Sequence, residues 1–178
     1  VTGVQTCALP ISLQPRACFA LGVSMGGIIS SVLAAVEPNL EGTAICLAGA
    51  DLPSIVMDSE ETRVARWRDW RLNEDGIGKT SLLQELQATL LSDPGRLGPF
   101  VDTQSVLLVH ATMDEVIRRP HQDLLWESLG RPRRLLFPLG HTTAALAIDP
   151  ILDAAASFFR EREPVAPSVA AGPVSRWR

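Results

Sequence analysis

The chain has 178 residues, 46% of them apolar and 20% charged, the balance of a globular domain with enough apolar material to bury a core. A net charge of −4, from 16 Lys and Arg against 20 Asp and Glu, gives no support for nucleic-acid binding, which needs a clustered basic surface. No apolar run approaches the ~20 residues that span a bilayer. The three cysteines, Cys7, Cys18 and Cys46, form neither a metal-ligand spacing nor an even disulfide set, which points to a reducing, cytoplasmic interior. Cys18 and Cys46 lie inside apolar runs and read as small core residues.

The opening from Val1 to Ile11 has no helical or strand period and lacks the charged and apolar regions of a signal peptide. It does not begin with Met, and it resembles the translation of sequencing-adapter read-through. Residues 1–12 are therefore set aside as an artefact, and the chain is read as one whose upstream sequence is missing.

Ala17 to Val23 is almost wholly apolar, as expected of a strand buried on both faces of a parallel sheet. Gly26-Gly27 opens a run to Val36 that is small or apolar on nearly every side, which predicts a buried helix stopped before Pro38. Thr43 to Ala48 is a second buried strand, closed by Gly49-Ala50-Asp51. Residues 52 to about 100 change character: a charged, Trp-containing stretch from Glu60 to Trp70, a loop at Asn73-Glu74-Asp75-Gly76, a helix from Ser81 to Leu91, then breaks at Pro94-Gly95 and Gly98-Pro99. This segment reads as a mostly helical insertion. Ser105 to His110 is a third strand, and Pro120 and Gly130 bracket a helix over 121–129. Arg134 to Pro138 is a fourth strand, and Asp149-Pro150 supplies an N-cap and first residue for a helix with an apolar stripe at Ile151, Leu152, Ala155, Phe158 and Phe159. Residues 163–178, rich in Pro, Ala, Ser and Gly, are expected to be a disordered tail. Strands alternating with helices in this way build an α/β fold, a parallel sheet covered on both faces.

Three residues carry candidate chemistry. Gly22-Val23-Ser24-Met25-Gly26 matches Gly-x-Ser-x-Gly, in which a tight strand-to-helix turn exposes the serine above a helix N-terminus, and a Cβ at either glycine is expected to clash. The motif alone is weak, and its context of buried strand then buried helix strengthens it over a merely structural glycine turn. His141, in Leu139-Gly140-His141-Thr142-Thr143, follows the fourth strand, where site residues gather at strand carboxyl ends. Of the other histidines, His110 belongs to a strand end and His121 reads as a solvated residue at a helix start. Asp114, just past the third strand, is positioned to accept the Nδ1 proton of His141 and hold the tautomer whose Nε2 takes the serine proton. Asp51 and Glu115 are its rivals, and Asp114 fits best relative to its strand.

The order Ser24, Asp114, His141, each at a strand end, resembles the α/β-hydrolase superfamily over residues 16 to 162. The stretches Trp126 to Pro132 and Leu139 to Thr143 also resemble a bacterial subgroup of it. The resemblance implies a hydrolase core over 13–162, a lid at about 52–100 and an ester or similar acyl substrate, with no metal or organic cofactor. It also implies an oxyanion hole that uses the N–H of Met25 and a second donor from an upstream loop. On this reading the N-terminal strands are missing and the fragment alone is poorly folded and nearly inactive, since one lost oxyanion donor costs ~10²–10³ in rate. A substrate, an acyltransferase variant of the same chemistry, and oligomeric state stay open. A non-catalytic hydrolase-like domain that binds a small apolar ligand is the rival from another class. Trp67 and Trp70 read as core-packed more readily than pocket-lining, and Arg63, Arg66, Arg68 and Arg71 as a solvated helical face.

Overall fold

The computed structural model describes residues 17–164. The artefact assigned to residues 1–12 lies outside the described residues, as does the tail expected from 163, apart from Glu163 and Pro164. Four parallel strands form one sheet in the order β1 (Cys18–Val23), β2 (Leu40–Cys46), β3 (Val106–Ala111), β4 (Arg133–Phe137). Helix α1 (Met25–Val36) joins β1 to β2, α6 (Arg119–Ser128) joins β3 to β4, and α7 (Ile148–Arg160) follows β4. Between β2 and β3 run α2 (Leu52–Asp58), α3 (Thr62–Asn73), α4 (Lys79–Thr89) and α5 (Pro94–Leu97), so the segment expected to be mostly helical carries four helices and no strand.

The alternation of side chains along β2 and β3 divides the core into two layers. Ile45, Val106 and Leu108 pack on one face with Leu125 and Leu129 of α6 and with Ile28, Ala34 and Ala35 of α1. Cys46, Leu107 and Val109 pack on the other with Ile151 and Phe158 of α7. Every residue of β3 is buried, which is why this strand was the plainest apolar run in the sequence.

The two outer strands depart from expectation. β1 is not buried on both faces: only Gly22 of its six residues is fully buried, and Cys18 is exposed and not a core residue. Among the described residues β1 pairs on one side only, so its composition is that of an inner strand and its position that of an edge. Helix α1 is likewise not buried all round. Its buried residues are Gly27, Ser30 and Ser31, whose small side chains let it lie close against the sheet, with the Ser31 hydroxyl donating to the Gly27 carbonyl (2.8 Å). Met25, Ile29, Leu33 and Val36 face outward. Helix α7 begins at Ile148, so Asp149-Pro150 lie in its first turn and Ala147 occupies the N-cap. At the end of α6 the expectation holds: Gly130 adopts φ 76°, and its N–H and that of Arg131 close on the carbonyls of Glu127 and Trp126.

Helix α3 inverts the usual arrangement. Arg68 turns inward to donate to the carbonyls of Val56, Met57 and Ser59 at the end of α2, and Arg71 makes a two-pronged pair with Glu85 of α4. Two of the four arginines are thus not a solvated face, while Trp67 and Trp70 are exposed and not core-packed. The buried Asp93 carboxylate ties the helical segment to the end of β2, accepting from the N–H groups of Asp51, Leu52 and Gly95. Its signature, Asp before Pro at a helix start, was present in the sequence.

Candidate active site

The turn from β1 into α1 is forced by close backbone approaches. A Cβ on Gly22 would stand 2.0 Å from the Gly26 carbonyl oxygen, and one on Gly27 would stand 2.5 Å from the Cys46 oxygen. One on Gly26 meets nothing within 4 Å, so the expectation that both motif glycines are sterically required holds for Gly22 and fails for Gly26. Gly27, outside the motif, is the second glycine the turn needs. Ser24 between them takes φ 56°, ψ −118°, a region costly for a residue with a side chain, and is held there by its N–H donating to the Cys46 carbonyl (2.9 Å).

A serine at an N-cap ordinarily turns its hydroxyl onto the first free N–H groups of its helix. Ser24 makes no such bond. Its Oγ lies 2.8 Å from Nε2 of His141 instead. The His141 Nδ1 lies 2.7 Å from Oδ2 of Asp114, whose side chain is wholly buried. The other oxygen of that carboxylate, Oδ1, accepts from the N–H groups of Val116 and Ile117, each at 2.8 Å. A carboxylate used as acceptor on both oxygens fixes the ring: Nδ1 carries the proton and donates to Asp114, and Nε2 is left to accept from the Ser24 hydroxyl. The loops carrying Asp114 and His141 are stitched together by the N–H groups of Thr112 and Met113 donating to the carbonyls of Phe137 and Leu139.

The structure therefore brings Ser24, His141 and Asp114 together. Asp51 is occupied as the N-cap of α2, accepting from the Ser54 N–H, and Glu115 is exposed. Met25 is the first residue of α1, so its N–H belongs to the unpaired first turn of the helix beside the serine. His110 is fully buried in β3, where Nδ1 accepts from Nε of Arg134 (3.0 Å); burial, reinforced by the Arg134 charge, pushes its pKa down to about 3 and keeps it neutral. His121 is not solvated: it is buried at the start of α6, and its carbonyl accepts from the Ala50 N–H (3.0 Å). Burial likewise pushes the Cys46 thiol up to about 12, so it is inert as a nucleophile. Among the described residues no group of His, Cys, Asp and Glu is arranged to hold a metal ion, and no helix is long and apolar enough to cross a membrane.

The parallel sheet, the strand–turn–helix around Ser24 and the solved structures it resembles define the class: the chain has the α/β-hydrolase fold. An enol-lactonase from Burkholderia xenovorans matches with a TM-score of 0.51 at 18% identity, over 82% of this chain and 66% of its own. An α/β-hydrolase enzyme from a deep-sea metagenome library of the Medee basin matches with a TM-score of 0.56 at 14% identity, over 86% of this chain and 68% of its own. The chain thus spans about two thirds of the length of these structures. In sequence it is 33% identical over 91 residues to the uncharacterized protein YdjC of Bacillus subtilis, over 51% of this chain and 76% of that protein, and it belongs to the same family. No protein-family model matches the chain.

Proposed function

We propose that the protein is a serine hydrolase acting on an ester or similar acyl bond. The observation that carries this reading is the unbroken line of two short hydrogen bonds from the Ser24 hydroxyl through His141 to Asp114, with Ser24 held at a positive φ that denies it its helix-capping role. In this mechanism Ser24 Oγ attacks the acyl carbon as Nε2 of His141 takes its proton. The oxyanion that forms is stabilised by the N–H of Met25 at the start of α1. The same Nε2 then gives its proton to the leaving group, and a water activated by His141 hydrolyses the acyl-enzyme. Asp114 keeps the ring in its tautomer and stabilises the imidazolium throughout. The chemistry as written needs no metal or organic cofactor. In this reading the helical segment between β2 and β3 is the lid that shapes the acyl pocket.

The test is labelling by a fluorophosphonate, with any natural upstream sequence restored. Labelling is expected in the native protein and not in Ser24→Ala. A folded, monodisperse protein that takes up no label contradicts the reading and favours a domain that binds a small apolar ligand without turning it over.

A further inference from the structure

Gln122 lies on α6, wholly buried, eight residues after Asp114 and outside the proposed triad. Its side-chain amide donates to two main-chain carbonyls, those of Ala111 (2.9 Å) and Ile117 (2.7 Å). Because both partners are carbonyl oxygens, only the NH2 end of the amide can face them, so the orientation is set by chemistry. Ala111 is the last residue of β3 and Ile117 lies just before α6, so the two carbonyls stand at either end of the loop that carries Asp114. The remaining oxygen, Oε1, is buried and accepts no hydrogen bond among the described residues. An apolar side chain of similar size would fill the space between α6 and β3 without a buried, unpaired Oε1, so what the amide adds is its two donated hydrogen bonds. The amide is therefore not explained by packing.

The loop's other attachments show what the amide adds. On the β4 side it is held by the N–H groups of Thr112 and Met113. Within the loop the Asp114 N–H donates to the Ala111 carbonyl (3.3 Å), and apart from Gln122 the loop's second half closes on the Asp114 carboxylate, which accepts from Val116 and Ile117. Without Gln122 the carboxylate that faces His141 would itself brace the second half of its own loop, and any slackening there would move Oδ2.

We propose that Gln122 is a positioning residue for Asp114: it clamps both ends of the acid loop so that Oδ2 stays in line with Nδ1 of His141. The inference rests on the serine-hydrolase reading for its effect on turnover and stands apart from it in its effect on the Asp114–His141 hydrogen bond. The test compares Gln122→Met, which keeps length and bulk and removes both donors, with Gln122→Asn, which keeps the amide but is one methylene short and reaches one carbonyl at most. Two readouts are taken: kcat and KM for a short-chain ester, and the downfield proton resonance of the His141 Nδ1–H held by Asp114. The clamp predicts that Gln122→Met loses about 10- to 100-fold in kcat, the scale of an ångström-sized misplacement, with KM unchanged and the resonance broadened or lost. Gln122→Asn loses less. A packing role predicts the reverse order, because Met fills the space and Asn leaves a cavity. Gln122→Met at least as active as Gln122→Asn, or full kcat with an intact resonance in either variant, overturns the proposal. Both readouts are taken with any natural upstream sequence restored; absence of turnover there would contradict the hydrolase reading and leave the resonance to decide on the clamp.

Discussion

Ser24 and His110 show the same residue-scale logic in opposite senses: each occupies a position that is costly for its type, and the neighbours define what the cost achieves. Ser24 takes a positive φ and gives up its capping bond to meet His141. His110 is buried as a neutral acceptor for Arg134 of β4, whose guanidinium also pairs with Asp123 of α6 (2.7 Å), itself bound by Arg119. This carries a pH consequence. Unfolded, His110 takes a proton below its ordinary value of 6.5; folded, it refuses one until about 3. The unfolded state therefore binds the extra proton in between, and stability falls as pH drops from about 6.5 towards 3. Gln at position 110 keeps an acceptor for Arg134 and does not titrate. The thermal midpoint of His110→Gln should accordingly fall less steeply than that of the native protein across this range, and parallel curves would contradict the assignment. The sequence made the Ser24, Asp114 and His141 candidates legible because a turn motif and strand ends mark them. Gln122 and the burial of His121 were not legible, since nothing in a single helix's pattern says which polar residue faces a buried loop.

At the scale of elements, the strand–turn–helix from β1 to α1 is specified by two glycines, and they are not the pair the motif names. Gly22 faces backbone that cannot yield, whereas Gly26 faces open space. Gly22→Ala should destabilise the protein by about 1–3 kcal/mol or more in urea unfolding. Gly26→Ala should be neutral or stabilise it by up to about 1 kcal/mol, through helix propensity and a less free unfolded chain. Equal costs at the two positions would refute this account of the turn. The element order, the parallel pairing and the fully buried β3 followed from apolar runs and their punctuation. The orientation of α1 did not, because a helix that is apolar all round carries no period to say which side faces the sheet; small residues at Gly27, Ser30 and Ser31 decide it by allowing close approach. The same holds for α3, whose arginines found carbonyl and carboxylate partners within the helical segment and left the tryptophans outside.

For the whole molecule the described sheet is asymmetric. β3 is covered on both faces, while β1 offers an unpaired edge among the described residues and α1 beside it turns Ile29, Leu33 and Val36 outward. An edge of inner-strand composition next to an apolar stripe is a surface for association. The 178-residue chain is therefore expected to self-associate at micromolar concentration by light scattering, and the double variant Ile29→Glu, Leu33→Glu to do so less. A native chain that stays monomeric at high concentration would contradict this.

The central claim is that Ser24 is an activated nucleophile, and the most direct measurement is the mass and position of the adduct after fluorophosphonate treatment. The account predicts one phosphonyl group per chain, mapped to the peptide containing Ser24 and absent from both Ser24→Ala and His141→Ala. A folded protein without an adduct, or one labelled elsewhere while Ser24 stays free, would contradict it.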